Sequence, residues 1–213
     1  MPTASLPLIL ASGSPRRVAL LSELGVLFQT VVSDAPETID PLLGPEPQAA
    51  ILAERKARAV ASQRQSGIVL GADTVVVIDG DLLGKPVDDA DATRMLRLLR
   101  DRGHRVITGI AVVDAGTGSV NTSTVTSIVR FRALSDREIA LYVATAEPRG
   151  KAGAYAIQGL GAGLVSALEG CFTNVVGLPL CETARLLRAA GVTVNPTWPG
   201  CRLPDGAPCP RLV

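Results

Sequence analysis

A chain of 213 residues, 47% hydrophobic and 19% charged, has the apolar material for one α/β domain with a full core and is not a disordered sequence. Its formal net charge of +1 lacks the strong basic excess of a protein that lives on bulk nucleic acid, so any work on phosphates must rest on a few placed cations. No apolar run reaches the ~18 residues of a membrane span, and the N-terminus lacks the basic and apolar regions of a signal peptide, which makes the cytoplasm the expected compartment.

Leu8-Ile9-Leu10 reads as a short buried strand. Ala11-Ser12-Gly13-Ser14-Pro15 follows as a tight loop. Ser14 is a natural N-cap, and Pro15 suits the first helical position, where its missing N–H would have no partner. Val18, Leu21 and Leu24 recur at helical spacing until Gly25 ends the helix. Residues 28–32 suggest a second strand, and a second helix begins near Pro47 and carries Ile51, Leu52 and Val60. Ile68-Val69-Leu70 is a strand entering the glycine-bearing loop Gly71-Ala72-Asp73-Thr74, and residues 75–78 continue extended. Asp79-Gly80 is a strong two-residue hairpin signal, returning through Leu82-Leu83 to Gly84-Lys85-Pro86. Asp88 or Asp89 caps a helix carrying Met95, Leu96 and Leu99. Residues 106–113 and 120–131 form a long antiparallel pair around Asp114-Ala115-Gly116-Thr117-Gly118, and Ser135-Asp136-Arg137-Glu138 is a capping box. A Gly- and Ala-rich stretch covers 150–163 and a last helix covers 180–190. From 195 to 213, Pro, Gly and Cys occur without periodicity, so the expected organisation is one domain over 1–194 and a loosely packed tail over 195–213. Strands alternate with helices but include hairpins, which predicts an α/β fold with a mixed sheet flanked by helices.

Several residues invite a chemical reading beside a plain one. Arg16 and Arg17 fall in the first helical turn, where cations oppose the helix dipole. With the free backbone N–H groups they make an anion cradle, although a solvated surface pair accounts for them equally well. The loop is no Walker A motif. Asp73, placed at a strand's end, can bind metal or activate water, or simply cap a turn. Lys85 can neutralise a phosphate or sit exposed beside its hairpin, and Glu37 and Lys56 each default to solvated charges. Gln158 lies in Lys151-Ala152-Gly153-Ala154-Tyr155-Ala156-Ile157-Gln158-Gly159. Its amide offers a donor and an acceptor to a base edge, or to a neighbouring backbone. Glu37 and Asp73 supply hard oxygens suited to Mg²⁺ or Mn²⁺.

His104 is the lone histidine, which weighs against Ser-His or Cys-His catalysis. Four cysteines, Cys171, Cys181, Cys201 and Cys209, form no C-x-x-C pair. Structural zinc sites are usually built from two close pairs, so these read as free thiols in a reducing cytosol.

Taken together, Leu10-Ala11-Ser12-Gly13-Ser14-Pro15-Arg16-Arg17, Lys56-Ala57, Gly71-Ala72-Asp73-Thr74, Gly84-Lys85-Pro86, residues 151–159 and Asn174-Val175-Val176-Gly177-Leu178-Pro179-Leu180 resemble the Maf-like pyrophosphatases, in family order, over about residues 8–191. The resemblance implies an elongated mixed sheet flanked by helices, with a cleft between two lobes, of the Maf and inosine-triphosphatase kind. It implies hydrolysis of a nucleoside triphosphate between its α- and β-phosphates with a divalent metal, Mg or Mn. Asp73 is then the proton acceptor. Arg16, Thr74 and Gln158 set substrate choice, while Ser12, Ser14, Arg17, Lys56 and Lys85 hold phosphate. Glu37 and Asp73 are the metal ligands.

Residues 151–159 resemble the branch acting on dTTP and UTP. The implied partner is a small nucleotide, with neither nucleic acid polymer nor membrane, and a homodimer is the family expectation. The same chemistry on another nucleotide, such as 7-methyl-GTP, and a nucleotide-binding regulator of septum formation stay open as alternatives. The chain departs from the family at Cys171-Phe172-Thr173, where an aromatic-rich stretch is usual, at Ala146, where Gly is common, and in the tail after Gly191.

Overall fold

A computed structural model describes residues 6–40, 42–203 and 206–209. Its centre is a seven-stranded sheet in the order β2-β1-β3-β5-β6-β7, with β4 also paired to β3. The strands are β1 (Leu8–Ala11), β2 (Phe28–Val31), β3 (Ile68–Ile78), β4 (Asp81–Leu83), β5 (Gly103–Asp114), β6 (Val120–Phe131) and β7 (Val165–Glu169). The helices are α1 (Pro15–Ser22), α2 (Pro45–Ala61), α3 (Asp89–Leu99), α4 (Asp136–Ala144), α5 (Phe172–Val176) and α6 (Leu180–Ala189). β1 runs parallel to β2 and β3, whereas β4 and β5 pair with β3, β6 with β5 and β7 with β6 in antiparallel fashion. The sheet is mixed, as its helix-and-hairpin sequence predicts.

β3 and β5 are apolar along almost their whole length because both of their faces are covered. Alternation sends Val69 and Ala111 toward α2, while Leu70, Ala72, Ile110 and Val112 face the larger core under the other helices. Each leucine fully buried in that core contributes about 1.5–3 kcal/mol. α2 approaches the sheet through Ala49, Ala53 and Ala57, one face at four-residue spacing. Two glycines in the strands make the approach possible: a Cβ at Gly71 would lie 2.2 Å from the Ala53 carbonyl oxygen, and one at Gly109 only 2.1 Å from that of Ala49.

Local signals hold where they are self-contained. Asp79 and Gly80, at φ 54° and 93°, turn β3 into β4. Asp88 caps α3 by accepting from the Asp91 N–H, and Ser135 with Glu138 forms the capping box of α4. Ala146, where Gly is expected, sits at φ 61° in the left-handed region that glycine enters most easily.

Four expectations are corrected. Asp73 does not end a strand: residues 68–78 form one continuous strand, and Asp73 pairs with Gly109 in its interior. Gly71 is there for the approach of α2, not for a turn. Ser14 occupies the N-cap position of α1 without a side-chain cap bond; its own N–H donates instead to Ser12 Oγ at 3.2 Å. β7 and α5 join the predicted set. The described part of the tail, 195–203 and 206–209, is not a loose appendage, because Cys201 and Cys209 are buried in the main core, Trp198 packs against it, and the Asn195 N–H donates to the Leu24 carbonyl at 3.0 Å. Among the described residues no helix is long and apolar enough to cross a membrane.

Candidate active site

A gap in strand pairing opens the site. β1 follows β3 only as far as Leu10 opposite Leu70, and β4 joins the same strand only from Leu83 opposite Val76. Residues 71–75 are left without a strand on that edge, and Asp73 and Thr74 lie at the middle of the gap. Because neighbours on a strand point to opposite faces, these two side chains serve different walls.

The gap forms the floor of a cleft of about 410 Å³, within the range of small-molecule sites. Ser12, Ser14, Arg16 and Arg17 reach it from the loop after β1 and the start of α1. Glu37, Lys56 of α2, Asp73, Thr74, Lys85 and Gln158 complete the set that sequence singled out, and all of these line the one cleft.

On the α2 side the charges are paired. Lys56 Nζ lies 2.5 Å from Asp73 Oδ1 and 2.7 Å from Glu37 Oε1, and Lys85 Nζ lies 2.8 Å from Glu37 Oε2. The chain runs from inside to outside: the side chains of Asp73 and Lys56 are each 12% exposed, those of Glu37 and Lys85 46% and 55%. Partial burial pushes the Glu37 carboxyl up, but hydrogen bonds from Lys56 and Lys85 outweigh it and hold the group down at about 2. The close seat of α2 on Gly71 and Gly109 is what lets Lys56 reach Asp73.

On the α1 side the arginines lack carboxylate partners among the described residues. Arg17 Nε donates to the Gly177 carbonyl at 2.8 Å, Nη2 to Thr74 Oγ1 at 3.1 Å and Nη1 to Ser12 Oγ at 3.5 Å, all neutral acceptors. Burial lowers its pKa, while the field of Asp73 partly restores it, and the guanidinium stays charged. Arg16 makes no hydrogen bond or ion pair among the described residues and lines the cleft beside Lys151. Behind Thr74 a polar relay enters the core: its hydroxyl lies 2.9 Å from that of Thr108, which donates to the Asn174 carbonyl at 3.0 Å. Asn174 Nδ2 in turn donates to Ser127 Oγ at 2.9 Å and to the Val106 carbonyl at 3.0 Å.

Gln158 is exposed at the cleft, just before a 3-10 turn over Gly159–Leu164, and its amide has no protein partner among the described residues. Its amide does not bond a neighbouring backbone, as the plain reading has it, among the described residues. His104 lies away from this chemistry, with Nε2 2.8 Å from the Tyr155 hydroxyl and edge-on contacts to Phe131 and Tyr155. Burial pushes it down to about 4.

Sequence reasoning gave no role to two contributors. Lys151 lines the cleft while donating to the Glu147 carbonyl, and its only signal is its place at the head of the 151–159 stretch. The Gly177 carbonyl holds Arg17, and a backbone acceptor leaves no mark in a side-chain pattern. A cleft with paired carboxylates and lysines on one side and uncompensated arginines on the other can take a polyanion and offer it a base.

The profile of a family described as "Maf-like protein" matches residues 7–190. A dTTP/UTP pyrophosphatase of Syntrophotalea carbinolica is 50% identical over 186 residues, covering 86% of this chain and 84% of that protein. Proteins of the same description from Pelotomaculum thermopropionicum and Geobacter sulfurreducens are 47% and 49% identical, over 88% and 86% of this chain and 98% and 96% of their own.

Proposed function

This chain belongs to the Maf-like protein family, and on that premise we propose that it hydrolyses dTTP and UTP to the nucleoside monophosphate and pyrophosphate. The observation that carries the reading is the union, in one cleft, of a carboxylate bound to a largely buried lysine with two arginines that have no carboxylate partner among the described residues.

Arg16, Arg17 and Lys151 face the triphosphate, and their positive charge grows in value as phosphate displaces water. Ser12 and Ser14 add short polar contacts from the loop before α1. Asp73 takes a proton from the attacking water as the α–β anhydride opens to the two products. One of its oxygens is held by Lys56 and the other accepts no hydrogen bond among the described residues, which leaves a lone pair for the water. Lys85, on the exposed rim, meets the outer phosphate charge.

Glu37 and Asp73 suit a divalent ion of the magnesium class, since their hard oxygens already converge on a common cation, the Lys56 ammonium. Bound there, such an ion would withdraw charge from the phosphate oxygens. Gln158 reads the base: a uracil or thymine ring shows a carbonyl beside an N–H, which one amide matches with its donor and acceptor. A site that hydrogen-bonds its substrate rejects a mismatched one by leaving polar groups unpaired. Arg16 and Thr74 share in that choice, and the nucleotide is the partner, with no polymer or membrane required.

The test is kcat/KM for dTTP, UTP, CTP, GTP and 7-methyl-GTP on one preparation, with and without added Mg²⁺ or Mn²⁺. dTTP and UTP should lead, CTP should be weaker, and chelator should abolish turnover. Preference for either guanine nucleotide would overturn the substrate reading, and full turnover in chelator would overturn the metal.

A further inference from the structure

The four cysteines lie far apart in sequence, with 9, 19 and 7 residues between successive members, yet the fold sets three of them in one cluster and the fourth against one of its members. The sulfurs of Cys171, Cys201 and Cys209 all lie within 4.8 Å of one another, and that of Cys181 lies 2.8 Å from Cys201. All four are held as thiols rather than disulfides. Cys171, Cys201 and Cys209 are 1%, 3% and 2% exposed, and none of the four lines the cleft.

Different elements aim each sulfur. Cys171 is the residue before α5, and its backbone is clamped to Ser127, whose hydroxyl donates to the Cys171 carbonyl at 3.1 Å and accepts from its N–H at 3.0 Å. Cys181 stands in the first turn of α6. Cys201 and Cys209 face each other across a small hairpin, in which the Cys209 N–H donates to the Cys201 carbonyl at 2.9 Å and Arg202 bridges Pro208.

Donors to sulfur are in place as well. The Cys181 N–H points to Cys201 Sγ at 3.2 Å, and Thr173 Oγ1 lies 3.2 Å from Cys171 Sγ and 3.6 Å from Cys201 Sγ. The N-terminus of α6 favours negative charge at the same spot. Such outer contacts orient and stabilise metal-bound thiolates.

The geometry points to a structural tetrathiolate zinc site formed by Cys171, Cys181, Cys201 and Cys209, separate from the nucleotide cleft. Four soft ligands without an open position define the closed, tetrahedral class. With Zn–S bonds of ~2.3 Å the sulfurs of such a site stand about 3.8 Å apart, so an ion would open the Cys181–Cys201 contact and draw Cys181, which stands outside the 4.8 Å cluster, toward Cys171 and Cys209. Binding would release a proton from each thiol to solvent. The usual spacing rule fails here because the ligand pairs are made by tertiary structure, and because Cys201 and Cys209 lie beyond residue 190, where the family match ends.

The test uses the full chain expressed with zinc, purified under reducing conditions and dialysed briefly against EDTA. About one zinc ion per chain should remain, and cobalt-exchanged protein should show the ligand-field and sulfur charge-transfer bands of a tetrahedral thiolate site. Cys201→Ser/Cys209→Ser should lose the zinc and melt lower by about 10 °C or more. If that variant does not fold, the metal content and cobalt spectrum of the parent decide. Zinc-free folded parent protein whose four thiols are counted by Ellman's reagent in denaturant, a Cys181–Cys201 disulfide found by mass spectrometry, or iron with acid-labile sulfide would each overturn the site.

Discussion

Both walls of the cleft carry cations, but among the described residues only one pairs them with carboxylates. Along α2, Lys56 and Lys85 are bound to Glu37 and Asp73, so the wall is nearly neutral and its geometry is fixed before any ligand arrives. Along α1, Arg17 is held by a carbonyl and two hydroxyls, and Arg16 by nothing among the described residues, so the wall keeps its positive charge. A paired wall is suited to positioning a base and a metal, an unpaired one to attracting phosphate. The contrast also separates the two arginines. Arg17 is a strut between α1, β3 and the end of α5, whereas Arg16 is an open cation.

The largest effect should come from the paired wall. Asp73→Asn keeps the shape and loses the basicity, and kcat should fall by roughly 10²–10⁴-fold while the melting curve is kept. A variant that melts early yet turns over when folded would make Asp73 a structural partner of Lys56 and erase the contrast.

The unpaired wall should split in two. Arg16→Ala should raise KM for every triphosphate by about 10–100-fold, the worth of one or two charge-assisted hydrogen bonds, with an unchanged melting temperature. Arg17→Ala should raise KM and also lower the melting temperature, since it strips three contacts from the fold. Identical behaviour of the two variants would show that the arginines are not divided as the structure divides them.

The smallest effect concerns acid. Glu37 has a folded-state pKa of about 2 against an ordinary 4.5, so its pairing stabilises the protein above pH 4.5 and that contribution is lost as pH falls from 4.5 toward 2. Glu37→Gln should flatten the fall of melting temperature across this window by only a little, because the group is half-exposed and its ion pairs are screened. An unchanged slope would mean that Lys56 and Lys85 do not grip it in solution.

What could be read from sequence was local or long. The Ser135 capping box, the Asp79-Gly80 hairpin and the paired strands β5 and β6 each carry their signal within a few residues or over a dozen. β7 was hidden by a mixed burial pattern with no clean alternation, and α5 by having only 5 residues. Gly71 looks like punctuation and so puts Asp73 at a strand end, when its missing side chain is a seat for α2. Glu37, Lys56 and Lys85 look like solvated charges one at a time. Only the resemblance joined them, because the contacts that unite them span 17 to 48 positions in the chain. The cysteines show the same thing without any motif to help.

The chain has a single tryptophan, Trp198, set among the residues that lead into the Cys201–Cys209 hairpin and packed against the main core. Its indole is therefore a built-in optical probe of that junction. Undocking of the C-terminal segment would move the ring from apolar surroundings into water, shifting its emission to the red. With only 2 tyrosines elsewhere, excitation at the long-wavelength edge of the protein's absorption would follow this one junction while the rest of the molecule stays dark.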